Sequence, residues 1–137
     1  MKILALDLGD KWVGTALSDP LKISCKPYET VMLEDLYPFL EKILEVQPIS
    51  TVVVGYPKTV SGGTESDQTR KTVALKDELA AKFSDTNWIL WDERLSSKRA
   101  DQLKHAVTKE DKIKSHSVAA AFILQGYLDY LAFHGNN

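Results

Sequence analysis

Two short segments far apart in this chain each end an apolar run on a carboxylate. Asp7 lies in the run 3–8, which breaks at Gly9, and Asp92 with Glu93 follows the run 88–91. Charged groups at the ends of buried strands are where an α/β sheet keeps its chemistry. Two carboxylates brought together there make a site for a divalent cation, and such sites serve phosphoryl-transfer chemistry. A carboxylate between Leu6 and Leu8 on a strand covered on both faces needs a cation or several donors, because burying it unpaired is costly. The structural alternative for Asp7 is a cap on the turn from Gly9 to Lys11. For Asp92 the alternative is a helix cap, or an ion pair with Arg94 or Lys98.

The rest of the chain must position those groups. The 137 residues carry 17 Lys and Arg against 19 Asp and Glu, a net charge of −2. That length predicts one domain, 1–137, with a respectable core. No apolar run is long enough to span a membrane, and the first run is too short for a signal-peptide core, so the expected compartment is the cytoplasm. The single Cys25 excludes an internal disulfide framework and a cysteine-based zinc site; its expected role is a small buried hydrophobe. The slight negative charge means that nucleic acid would be bound only through local clusters. One candidate is Lys98, Arg99, Lys104, His105, Lys109, Lys112 and Lys114; another is Arg70 with Lys71. Solvated helix faces are the plainer reading of both.

Strand-like runs at 3–8 and 13–18 flank the turn at Gly9 and Asp10, and a weaker one at 23–31 follows the turn at Asp19 and Pro20. These three read as an antiparallel meander. Leu36, Phe39, Leu40, Ile43 and Leu44 recur at helical spacing and predict a helix over 34–46, stopped by Pro48. The β-branched run 51–55 reads as a parallel strand. A loop at 56–63, a helix over 64–83, a strand at 88–91, a short helix at 96–105 and a polar, lysine-rich connection at 109–115 follow. The closing helix is expected to open at His116 or Ser117 and to run through Leu128. This order gives an α/β fold, a mixed five-stranded sheet flanked by helices.

That order, with an acid on the first strand, resembles the ribonuclease H-like pattern. Four blocks, LALDLGDKWVGTALSD, VVVGYPKTVSGG, WDERLSS and HSVAAAFILQGYLD, together resemble the signature blocks of the RuvX/YqgF family. Its members are small bacterial proteins described as Holliday-junction resolvase-like or as pre-16S ribosomal RNA nucleases. The resemblance implies a metal-dependent nuclease with acids on the first strand, after the last strand and at the start of the closing helix. Asp7 matches the first position and Glu93 the second. The third departs: His116 stands where the family pattern has Asp. The implied catalytic and metal-binding set is therefore Asp7, Glu93 and His116, with Mg²⁺ or Mn²⁺ as the ion. Imidazole is a competent ligand for Mn²⁺ and a poor one for Mg²⁺, and it can also act as general acid or base. A helix cap or solvent contact is the alternative for His116, and Glu110 or Asp111 is an alternative third acid.

Around this set, Lys11, Lys58, Arg70 and Arg94 are candidate phosphate contacts, each also readable as an ordinary exposed or ion-paired group. Gly9 and Gly14 allow close approach of backbone or phosphate. Gly55, Pro57, Gly62 and Gly63 frame a loop at the carboxyl end of a parallel strand. Trp12 could stack on a base, though packing explains it as well; Trp88 and Trp91 read as core or sheet cover. The expected partner is nucleic acid, RNA before DNA, with a ribosomal particle as a further partner and a monomer or homodimer as the assembly. A DNA junction resolvase, which needs a homodimer, stays open, as does a catalytically impaired nucleic-acid-binding protein. DLGDKWVG also resembles the phosphate loop of sugar kinases and actin-like ATPases, but those need a second lobe, for which this chain is too short.

Overall fold

A computed structural model of the chain describes residues 1–56, 67–92 and 109–134. Five strands form one sheet, β1 (Lys2–Leu8), β2 (Trp12–Ser18), β3 (Cys25–Met32), β4 (Ile49–Tyr56) and β5 (Asn87–Asp92), in the order β3-β2-β1-β4-β5. The first three strands pair antiparallel, and β1–β4 and β4–β5 pair parallel. The predicted mixed sheet is therefore the observed one. The helices are α1 (Leu36–Val46), α2 (Asp67–Lys82) and α3 (Lys109–Phe133). None of the described helices is long and apolar enough to cross a membrane.

β1 is the central strand, and its side chains alternate between two buried layers. Leu4, Leu6 and Leu8 pack with Val52 and Val54 of β4 against Leu36, Leu40 and Ile43 of α1 and Leu79 of α2. Each such leucine, fully buried, contributes about 1.5–3 kcal/mol. On the opposite face Ile3, Ala5, Ala16 and Val53 meet Ala120, Ile123, Leu124, Tyr127 and Leu128 of α3. The small side chains on that face let α3 lie close to the sheet.

Several expected boundaries move. A short 3-10 turn, Leu33–Asp35, precedes α1, so the predicted helix opens later than position 34; such turns are common at helix starts. β3 starts at Cys25 because residues 19–24 form a closed turn. Asp19 N–H donates to Ser24 C=O, Asp19 Oδ1 accepts from Ile23 and Ser24 N–H, and Lys22 adopts φ 60°. The larger correction concerns α3. The expected polar connection at 109–115 is helix, so His116 lies well inside α3 rather than at its start. Lys and Glu are strong helix formers, and a first stretch free of apolar periodicity still propagates a helix docked further along. The expected short helix at 96–105 and most of the loop at 56–63 lie outside the described residues.

The edge strand β3 is protected in a familiar way. Pro27 and exposed charged residues occupy it, and its register shifts between Gly14 and Ala16 of β2. Thr15, opposite that irregularity, donates to Glu29 C=O at 2.6 Å and accepts from Glu29 N–H at 2.9 Å. Cys25 is half-buried, less enclosed than expected, with its Sγ 3.2 Å from Ala121 C=O. Burial, then the charges of Asp129 and Asp19, push its thiol up to about 11. The raised value keeps the sulfur protonated at neutral pH. Alkylation at pH 8 is therefore expected to run about 100-fold slower than for an ordinary thiol and to accelerate about tenfold per pH unit up to that value. Rapid labelling of the folded protein at pH 8 would contradict this environment.

Candidate active site

Asp7, the last residue but one of β1, lies on the α3 side of the sheet, in the alternation set by Ile3 and Ala5. The register places four residues in one row across the strands: Gly14 of β2, Asp7, Gly55 of β4 and Trp91 of β5. Partners in adjacent strands share a face, so the half-buried carboxylate is flanked on both sides by residues without side chains. Trp91 closes the row, packing edge-on against Tyr127 and Tyr130 of α3 at 5.3 and 5.4 Å between ring centroids. Its role as sheet cover agrees with the expectation, as does that of Trp88, whose Nε1–H donates to Phe83 C=O at 3.0 Å.

Gly14 explains how α3 reaches this row. A Cβ on Gly14 would lie 1.9 Å from the carbonyl oxygen of His116 and 2.6 Å from the amide nitrogen of Ser117. The helix backbone thus rests directly on β2 beside Asp7. Adjacent-strand Cα atoms are about 4.5–5.5 Å apart, so the His116 turn sits roughly one residue's width from Asp7. His116 is half-buried and inside a helix, which removes the cap explanation for it. The backbone turn carrying His116 thus packs on the strand next to the one that carries Asp7.

Residues 1–130 match the family model described as RuvX: Holliday junction resolvase. The chain belongs to the RuvX family. One relative, from Caldicellulosiruptor bescii, is named "Putative pre-16S rRNA nuclease"; it is 38% identical over 135 residues, spanning 95% of this chain and 97% of its own. Another of the same name, from Agathobacter rectalis, is 37% identical over 141 residues, spanning 96% and 97%. Among solved structures, RuvC of T. thermophilus in complex with a Holliday junction substrate aligns over 98% of this chain and 96% of its own, with a TM-score of 0.58 and 12% identity. The fowlpox virus Holliday junction resolvase aligns over 96% and 100%, with a TM-score of 0.53 and 15% identity. These distant likenesses establish the ribonuclease H-like fold expected for a RuvX member.

The remaining candidates of this RuvX chain divide by location. Lys11 is exposed in the β1–β2 turn, with its carbonyl accepting from Leu33 N–H at 2.8 Å and its Nζ 6.0 Å from the Trp12 ring. Trp12 is half-buried and paired with Met32 in the sheet. Gly9 donates to Trp12 C=O at 3.0 Å, and a Cβ there would lie 2.7 Å from that same oxygen, so the turn demands glycine for closeness. Arg70 and Lys71 are exposed in the first half of α2. Asp92, expected just past the last strand, is instead the last residue of β5, paired with Tyr56. Glu93, Arg94, Pro57, Lys58, Gly62 and Gly63 lie outside the described residues.

Among the described residues no three His, Cys, Asp or Glu side chains form a group that could hold a metal. Asp7 and His116 are a hard oxygen donor and a borderline nitrogen donor, types that suit a divalent ion. Sequence reading missed a second feature near this end of β1. A cleft of about 160 Å³ opens on the α2 side of the Gly9 turn, bordered by Lys71 and Thr72. The Thr72 hydroxyl is buried and has no hydrogen-bond partner among the described residues. Such an unpartnered group costs about 1–3 kcal/mol. Nothing in the primary pattern distinguishes Thr72 from the other polar positions of α2.

Proposed function

We propose that this chain is a divalent-metal-dependent nuclease of one domain, hydrolysing RNA phosphodiester bonds in 5′-end processing of pre-16S rRNA in the cytoplasm. The observation that carries this reading is the seating of the His116 turn on Gly14, the direct neighbour of Asp7. The RuvX match supports the nuclease class, and the names of the relatives support the substrate.

Asp7, Glu93 and His116 would hold the ion. When bound, it supplies a water of lowered pKa and neutralises charge on the scissile phosphate. The chain's own residues do the rest. The central strand β1 fixes Asp7 against motion, since both its neighbours are hydrogen-bonded to it. His116 offers two ring nitrogens, one for ligation and one to donate a hydrogen bond or a proton to the leaving alkoxide. Lys11, Lys58, Arg70 and Arg94 hold flanking phosphates, Arg through paired hydrogen bonds. With a net charge of −2, binding is modest and strongly salt-dependent, and a ribosomal particle would add affinity.

The test is cleavage of a labelled RNA spanning the 5′ leader of 16S rRNA, with Mg²⁺ and Mn²⁺ in parallel. The expected result is metal-dependent cleavage, faster with Mn²⁺ because of the imidazole donor. His116→Asp is expected to keep or raise the Mg²⁺-dependent rate and to narrow the Mn²⁺ preference. Complete loss of activity in that variant would contradict a ligand role for position 116. RNA binding without cleavage under either metal would replace this reading with that of an impaired nuclease.

The family description favours a second reading, a DNA junction resolvase. Resolution needs two active sites facing one four-way junction, hence a homodimer. A chain that is monomeric both alone and with junction DNA argues against it.

A further inference from the structure

The C-terminal end of β1 carries a concave feature on the face opposite Asp7. Asp7 faces α3; immediately after it, Leu8 turns to the other face and joins Leu33 and Leu75 as walls of the cleft beside α2. Three polar groups border these aliphatic walls: the exposed side chains of Lys71 and Asp10, and Thr72. Thr72 is 1% exposed, and its hydroxyl has no partner among the described residues. Gly9 also borders the cleft, but its N–H is already given to Trp12 C=O.

This combination selects a class of ligand. A phosphate is a poor occupant: three leucines offer it no donors, and the Asp10 carboxylate opposes it. A planar heterocycle suits the cleft better. Its faces meet leucine, and its edge atoms meet an ammonium donor from Lys71 and a carboxylate acceptor from Asp10. A cavity of about 150 Å³ with aliphatic walls accommodates a benzene ring, so about 160 Å³ takes one base-sized ring. Position matters as well. Gly9 lies within about 7 Å of Asp7 along the chain, so a strand whose phosphate reaches Asp7 has a neighbouring nucleotide at the cleft.

We propose that this cleft is a specificity subsite that receives one unpaired nucleobase of the substrate strand next to the scissile bond. Single-stranded RNA is read in this way, with a base splayed out and hydrogen-bonded at its edge. The inference rests on the nuclease reading for its ligand.

The test uses the full chain carrying Asp7→Asn, which separates binding from cleavage. Affinity is measured for a single-stranded RNA in which one abasic site is moved a position at a time. One abasic position is expected to weaken binding about tenfold more than the others. Adding Lys71→Ala or Asp10→Ala, both checked for native circular dichroism, is expected to remove most of that difference. A flat scan, or a sensitive position indifferent to both substitutions, overturns the subsite. The two readings fail separately. Cleavage by the unmodified chain with a flat scan removes the subsite alone, whereas a position-specific scan without cleavage removes the nuclease alone. Absence of RNA binding overturns both.

Discussion

Replacing Asp7 with Asn lowers metal-dependent cleavage by on the order of 10³-fold or more, the scale seen when one member of a concerted catalytic group is removed. That corresponds to about 4 kcal/mol of lost transition-state stabilisation. The melting temperature is expected to change little. The carboxylate is half-buried near the end of the central strand, and Asn has the same shape and keeps an oxygen that accepts a hydrogen bond. A turn-capping Asp7 predicts the opposite pair of results, a loss of stability with little change in rate. Measuring both quantities on one preparation decides between them. The variant should also bind RNA as before, because the phosphate contacts assigned here come from Lys and Arg side chains. A variant that cleaves within tenfold of the unmodified chain would remove Asp7 from the chemistry.

Which parts of this arrangement could be read from the sequence follows from what each part depends on. Runs such as ILALDL and TVVV are strands by local composition, and their central, doubly covered place follows from being apolar at successive positions. The α1 helix was legible from Leu36, Leu40 and Ile43, the three residues that the structure buries. Asp7 stood out because a charge in such a run is costly. The glycine row was not legible. That Gly14 and Gly55 both pair with Asp7 depends on register across two interfaces, one antiparallel and one parallel, which no local pattern encodes. The start of α3 is not legible from apolar period, because residues 109–115 are helical while largely polar. Among the described side chains of α3, those from Ala120 to Leu131 carry the core contacts. The cleft beside Thr72 arises where the Gly9 turn, the 3-10 turn at Leu33 and α2 meet, so no single segment announces it.

Gly14→Ala tests the packing that brings the two halves of the site together, and its expected effect is a loss of about 3 kcal/mol or more of stability. Overpacking a core usually costs about 1–3 kcal/mol, because side chains can rotate away. Here the added methyl would meet backbone: the His116 carbonyl oxygen at 1.9 Å, its carbon at 2.1 Å and the Ser117 nitrogen at 2.6 Å. No rotamer relieves that contact, so α3 must lift by roughly 1 Å or more to reach ordinary separation. Lifting it loosens Ala120, Ile123 and Leu124 from Ala5 and Ala16, and burial of those groups is what holds the helix down. The melting temperature should fall by about 10 °C or more for a chain of this size. The same displacement carries the His116 turn away from Asp7. Well below its melting temperature, where the variant is folded, metal-dependent cleavage should therefore drop at least tenfold, through the rate constant more than through RNA affinity. A Gly14→Ala chain that melts and cleaves like the unmodified one would show that α3 is not seated on β2 at this point. A chain that melts early but cleaves normally when folded would confine Gly14 to architecture and weaken the case for His116.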